Sequence, residues 1–257
     1  AVSLRFLLAN YLQESGRGDQ ATRQYTDVLE IQPENSGALN NLGTLLLEEG
    51  KAEDAIELFQ RALQNNPDAP GAHTNLGNAL QGQGNTLEAL QHYQQALKIN
   101  PDYAQAHFNM GNALLGQGNL FEAILYYQRA LEIDPEYSQA HSNLGIALQR
   151  QGEFEEAIRH YQRALEIDPD YAEAHYNLGI ILRGQGNTKE AIDHYQHAVR
   201  INPENALARN NLGNALQAEG KTAEAIRHYR QALEIKPDFT EVHYNLANAL
   251  KSAGKNR

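Results

Sequence analysis

The sequence predicts an all-α protein, a linear stack of about seven helical hairpins followed by one further helix. Three observations predict it. Seven of the eight prolines, Pro33, Pro67, Pro101, Pro135, Pro169, Pro203 and Pro237, stand 34 residues apart, and a fixed period of roughly 20–50 residues marks a repeat architecture. Other residues keep the same step: glycine at Gly16, Gly50, Gly84, Gly118, Gly152, Gly186, Gly220 and Gly254, alanine from Ala21 to Ala225, and an aromatic at Tyr25, Phe59, Tyr93, Tyr127, Tyr161, Tyr195 and Tyr229. Inside each period, apolar residues recur at helical rather than strand spacing.

With proline at place 32, the units are 2–35, 36–69, 70–103, 104–137, 138–171, 172–205 and 206–239, and 240–257 is half of an eighth. No linker, charge block or low-complexity segment separates them, so one domain, 1–257, is expected. Unit 138–171 shows the pattern. Its first helix carries Ala140, Leu144, Gly145, Ala147 and Leu148. Gly152 ends that helix, because glycine enters the left-handed region without steric cost. A short polar turn follows. In the turns of other units Asn85 with Glu88, Asn119 with Glu122, and Asn187 with Glu190 have capping-box spacing, with Asn in place of Ser or Thr. The second helix carries Ala157, Ile158, Tyr161, Ala164, Leu165 and Ile167, and proline stops it by lacking a donor and crowding the preceding turn. Six mid-helix glycines, Gly43, Gly77, Gly111, Gly145, Gly179 and Gly213, each cost about 1 kcal/mol against alanine. They are expected to let the first helix approach the alanines of the second at ~8–10 Å.

Composition excludes several function classes. The 257 residues are 41% apolar, enough for a sizeable core, and contain no Cys and no Trp. A disulfide scaffold, a thiolate zinc site and a cysteine nucleophile are therefore ruled out. The net charge is −11 and the pI near 5.4. A duplex-binding protein needs cations to neutralise phosphate, so no nucleic-acid partner is expected. No apolar run approaches the ~20 residues of a membrane span, so no membrane insertion is expected. The opening AVSLRFLLANYLQ is interrupted by Arg5 and has no small-residue cleavage site, unlike a signal peptide. It lacks an initiator Met, as a processed or excised chain would. A cytoplasmic location is expected from the lack of cysteines, glycosylation sequons and a signal.

The combination Leu144-Gly145, Ala157, Tyr161, Ala164 and Pro169, repeated in phase over nearly the whole chain, resembles the tetratricopeptide repeat. Histidine replaces the family's frequent Trp at His73, His107, His141, His175 and His243, and Leu replaces its first-helix Tyr. The resemblance implies a right-handed superhelix, an α-solenoid in which first helices line a concave groove and second helices form the convex back. It also implies no chemistry of its own, no cofactor, and a protein or peptide partner held as on a scaffold.

On that geometry the groove stripe is place 2, 5, 6, 9, 12 and 13 of each unit. Place 6 is asparagine in seven consecutive first helices, at Asn41, Asn75, Asn109, Asn143, Asn177, Asn211 and Asn245, and place 9 is asparagine at Asn10, Asn78, Asn112, Asn214 and Asn248. Asparagine is a poor helix former, so its repetition needs a reason. A carboxamide offers a donor and an acceptor, as a peptide bond does. One reading is a column of amides gripping an extended peptide backbone; the other is that they bond the adjacent repeat and stiffen the stack. Phe108, Tyr176 and Tyr244 at place 5 are candidates to pack against ligand side chains. The ladder, with the phrase Ala-His-x-Asn-Leu-Gly at Ala140–Gly145 and Ala174–Gly179, is similar to the repeat arm of O-linked N-acetylglucosamine transferases. That likeness implies the alternative of a docking arm whose catalytic domain lies outside this chain.

Other signals fail on context. Histidines at 34-residue steps lie a helix spacing apart, whereas metal ligands converge at ~2 Å. Gly82-Gln-Gly84 and its equivalents end helices rather than follow strands. Asp168-Pro-Asp170 lacks a calcium loop's glycine and distal glutamate. No nucleophile–base–acid set stands out. The first helix is unusually apolar, with Val2, Leu4, Phe6, Leu7, Leu8, Tyr11 and Leu12. Either further repeats precede it, or residues 1–14 meet another chain. A homo-oligomer through the terminal helices is the corresponding structural alternative.

Overall fold

A computed structural model describes residues 2–255. It divides into two compact units, Ala1–Pro135 and Glu136–Arg257. The first holds α1 (Val2–Glu14), α2 (Gly18–Ile31), α3 (Ser36–Glu48), α4 (Ala52–Asn65), α5 (Pro70–Gly82), α6 (Thr86–Ile99), α7 (Ala104–Gly116) and α8 (Leu120–Ile133). The second holds α9 (Ser138–Gln151), α10 (Phe154–Ile167), α11 (Ala172–Gly184), α12 (Thr188–Ile201), α13 (Ala206–Ala218), α14 (Thr222–Ile235) and α15 (Thr240–Lys255). There is no strand among the described residues. Each unit is a run of stacked hairpins, an α-solenoid, whose first helices from α3 onward start at place 1 of the 34-residue period.

Turn chemistry fixes the ends. Gly84 takes φ +83°; its N–H donates to Gln81 O, and the next N–H, from Asn85, donates to Leu80 O at 2.9 Å. This is the double bond of a left-handed C-terminal stop, and it recurs at Gly16, Gly50, Gly118, Gly152, Gly186 and Gly220. Gly254 differs, because α15 runs through it. Most second helices stop at an isoleucine two residues before proline, since proline disfavours helical backbone in the residue preceding it.

Two expectations are corrected. Asn85, Asn119 and Asn187 occupy N-cap positions but make no side-chain cap bond. Their ψ of 55–69° departs from the extended backbone that aims a side chain at the third N–H. Among the described residues, side-chain caps form at Asn35 and Asn205, which accept from Ala38 N and Ala208 N. The mid-helix glycines, in turn, face rings rather than alanines. A Cβ on Gly145 would lie 2.7 Å from Tyr161 Cε1, and one on Gly77 2.5 Å from Tyr93 Cε1. The missing side chain is the slot into which the buried aromatic of the second helix fits. The alanines on second helices, such as Ala123 and Ala157, are fully buried beside it.

Within the first unit α3 meets α5 and α5 meets α7, and within the second α9 meets α11, α11 meets α13 and α13 meets α15, in addition to the contacts α2–α3, α4–α5, α6–α7, α10–α11, α12–α13 and α14–α15. The place-4 histidines His73, His107, His175 and His243 bind the proline that closes the previous repeat. His73 and His107 place Nε2 3.0 and 2.8 Å from the carbonyls of Pro67 and Pro101, and Arg209 donates Nε–H to Pro203 O in the same way. Three place-4 histidines also pair with one on the second helix through Nδ1: His73–His92, His141–His160 and His175–His194, at 2.9–3.1 Å.

Candidate functional site

The sequence singles out the face of the first helices. In the first unit its carboxamides form a connected network. The buried Tyr93 hydroxyl donates to Asn78 Oδ1 at 2.9 Å, and Asn109 Nδ2, from the next repeat, donates to the same oxygen at 2.7 Å. Asn109 is buried, and its own Oδ1 accepts from Gln105. The same motif joins Tyr25, Asn10 and Asn41. Asn112 accepts from Tyr127 at 2.8 Å. Where place 9 is Thr44 instead, Asn75 Nδ2 reaches Asn40 Oδ1 and Thr44 Oγ1. Place 9 is thus the bracket where a tyrosine from its own hairpin and an asparagine from the next one meet. Phe108 packs its ring on Tyr127 with centroids 6.0 Å apart.

Among the described residues, the second unit keeps only the tyrosine half of this bracket, at Asn214. Tyr229 donates to Asn214 Oδ1 at 2.7 Å. Asn245 Nδ2 donates to Asn210 Oδ1 at 3.0 Å, and Asn210 in turn donates to Glu241. In repeats 138–171 and 172–205, place 9 is Ile146 and Ile180. The consequences follow from the missing acceptor. Tyr161 turns to Gln149 Oε1, and Asn211 donates to the hydroxyl of Tyr176 at 3.2 Å. Asn143 is half-buried in the same face and bonded. Asn177 is half-buried and makes no side-chain hydrogen bond among the described residues, and neither does the Tyr195 hydroxyl, whose pKa burial pushes up to about 12. The Tyr176 ring packs tilted, at 51°, against that of Tyr195, with centroids 6.2 Å apart.

Sequence reasoning groups these asparagines in one column of the first helices but misses their tyrosine partners and the break at Ile146 and Ile180. The aromatic column and the two isoleucines stand in the same 34-residue frame, but the sequence does not display the bonds between the columns. Among the described residues no three His, Cys, Asp or Glu side chains are grouped to hold a metal, and no helix is long and apolar enough to cross a membrane.

Comparison with known proteins agrees with this geometry. Family models described as tetratricopeptide repeat match residues 6–70 and 74–138, 136–204, and 194–227, and one described as TPR repeat matches 213–254. They return the repeat and single out no transferase arm. No curated protein matches the chain. Among solved structures, the chain resembles the APC/C hetero-tetramer Cut9–Hcn1 with a TM-score of 0.83 at 20% identity, over 94% of this chain and 48% of that one. It thus spans about half the length of that structure's chain. It also resembles PilF of Pseudomonas aeruginosa (TM-score 0.77, 20% identity, 83% and 97% covered). A third is YrrB, a repeat protein with an unusual peptide-binding site (TM-score 0.59, 24% identity, 74% and 97% covered). These three likenesses establish the fold.

Proposed function

The chain belongs to the tetratricopeptide repeat family, whose members mediate protein–protein interaction, and on that premise we propose that it is a non-catalytic scaffold holding an extended segment of a partner protein along its first-helix face. One observation carries the reading. Three place-6 asparagines, Asn75, Asn211 and Asn245, spend their N–H groups on the neighbouring repeat while Oδ1 receives no donor among the described residues, and Asn177 is open on both sides, whereas Oδ1 of Asn41 and Asn109 accepts from Asn40 and Gln105. The same side chains thus clip the stack and present oxygens to a ligand's backbone N–H groups. Phe108 and Tyr176 supply apolar surface beside them. Such a face reads backbone more than sequence, because every peptide unit offers the same donor.

The test is capture of the partner with the native chain and with Asn177→Ala/Asn211→Ala, with urea unfolding measured in parallel. Each lost neutral bond weakens binding by about 0.5–1.5 kcal/mol. Weaker capture, with a stability loss no larger than the one Asn211–Tyr176 bond accounts for, supports the groove; unchanged capture overturns it.

A second reading, self-association through the ends, is favoured by α1. Leu4, Leu8 and Tyr11 are 74%, 46% and 61% exposed, yet they occupy places 3, 7 and 10, which are buried in α3, α5 and α7. The C-terminal α15 likewise exposes Tyr244 and Leu250. The α1 face has the pattern that takes another helix. Light scattering against concentration checks it: Leu8→Lys should abolish any growth in particle mass, and a concentration-independent monomer of the native chain refutes it.

A further inference from the structure

We propose that repeats 138–171 and 172–205 of the second unit form a side-chain-reading site for a peptide segment that carries a bulky apolar residue next to an acidic one. This rests on the groove reading above and adds to it a location and a ligand chemistry.

Two adjoining cavities make the site. One, of about 370 Å³, is lined by Phe154, Ile180, Ile181, Gly184, Gln149 and Gln185 and is largely apolar. The other, of about 410 Å³, is lined by Ile180, Arg183, Gly184, Tyr195 and Asn211. Ile180 and Gly184 are common to both. Volumes of this size lie at the small end of ligand clefts, ~300–1,000 Å³, with room for one or two aliphatic or aromatic side chains. The glycine leaves the space open, since a Cβ there would meet nothing within 4 Å.

Tyr195 lines the second cavity, and Asn177 lies one helical turn before Ile180 on α11. Ile146 and Ile180 remove two place-9 brackets, so the amide of Asn177 and the hydroxyl of Tyr195 stay unbonded among the described residues. The corresponding hydroxyls of Tyr25, Tyr93, Tyr127, Tyr161 and Tyr229 all donate. The Arg183 side chain is exposed and forms no ion pair or hydrogen bond among the described residues, unlike Arg129, Arg159, Arg163 and Arg200, which pair with carboxylates; Arg23, Arg150, Arg227 and Arg230 are free as well, but Arg183 is the one that lines a cavity with Tyr195 and Asn211. Its charge is felt at both Tyr195 and Tyr229. A free guanidinium in a groove of a chain of net charge −11 is a local attractor for a carboxylate. The apolar cavity beside it takes the neighbouring side chain, and Asn177 takes the intervening backbone.

The experiment is fluorescence anisotropy on the 257-residue chain with labelled dodecapeptides in a Gly/Ser background, carrying Leu-Glu, Leu-Lys or Ala-Glu at the centre. The expected result is that Leu-Glu binds about tenfold tighter than the other two. Arg183→Glu shifts the preference to Leu-Lys, and Gly184→Leu, which fills the cavity, weakens Leu-Glu about tenfold. Ile180→Asn, which restores the bracket for Tyr195, also abolishes the preference and guards against an effect peculiar to one variant. If the three peptides bind within twofold of one another, or bind the variants as they bind the native chain, the inference falls while the groove reading stands. If none binds below about 1 mM and the Asn177→Ala/Asn211→Ala variant still captures its partner, both fall.

Discussion

Replacing Asn109 and Asn177 by alanine is the same change at the same place of two repeats, and the network assigns it opposite costs. Asn109 is buried, donates from Nδ2 to Asn78 Oδ1 at 2.7 Å and accepts from Gln105 Nε2 at 3.1 Å. Asn109→Ala deletes two neutral hydrogen bonds, at about 0.5–1.5 kcal/mol each. Asn78 keeps its bond from Tyr93, so no further buried acceptor is orphaned. Alanine recovers up to about 0.7 kcal/mol of helix propensity, which leaves a net loss of about 1–2 kcal/mol. Asn177 has no bond to lose, so Asn177→Ala recovers the propensity alone and is neutral to slightly stabilising. Urea unfolding followed by far-ultraviolet circular dichroism measures both, with the midpoint compared at a common slope. Equal losses at the two positions would refute the assignment of Asn109 as a clip and Asn177 as an open amide.

Three other expectations follow from packing and charge. Gly145→Ala puts a Cβ 2.7 Å from the ring of fully buried Tyr161; overpacking of about 1–3 kcal/mol outweighs the helix gain of about 1 kcal/mol. Gly116→Ala, where a Cβ meets nothing within 4 Å, should instead stabilise by about 0.4–1 kcal/mol; thermal melts of the two variants should move in opposite directions. Ala123→Leu, at a fully buried contact, should cost about 1–3 kcal/mol in the same assay. Acid should weaken the fold. Burial, then the facing histidine, depresses His92 beside His73 and Glu88, and takes His160 down to about 4 beside His141, Glu156 and Arg159. Burial also depresses His194, beside His197 and Asp193, and takes His228 to about 4 beside Arg227, Arg209 and Glu224. These groups bind protons more weakly folded than unfolded. Their stabilisation is therefore complete above pH ~6.5 and is lost as pH falls toward ~4. Unfolding midpoints that stay flat between pH 7 and 4.5 contradict this; His160→Gln should reduce the slope.

The fold was legible because its determinants are local and repeated. A left-handed glycine, a helix-stopping proline and a periodic apolar stripe each declare themselves within one unit, and the register from Pro33 to Pro237 does the rest. The asparagine column of the first helices was legible for the same reason. What escaped was pairing across helices. Gly145 signals close approach, yet only coordinates tell that Tyr161, and not Ala157, fills the slot. The capping-box spacing at Asn85 is present, but the backbone entering α6 turns the side chain away from the N–H it would cap. The asparagine column suggested binding or stiffening as alternatives; a carboxamide has two ends, and most of these use the N–H end on the neighbouring repeat. The isoleucines at 146 and 180 carry meaning only against the bracket they interrupt, which a sequence without contacts does not display.

The most direct test of the scaffold account uses the absence of cysteine in the chain. A photo-crosslinker attached to a single cysteine at Tyr176→Cys or Phe108→Cys reports on the first-helix face, and one at the exposed Gln162→Cys reports on a second helix. The account predicts a discrete partner adduct from the first two in whole extract, suppressed by excess unlabelled chain, and none from the third. Adducts from position 162 alone, or from all three alike, would contradict it.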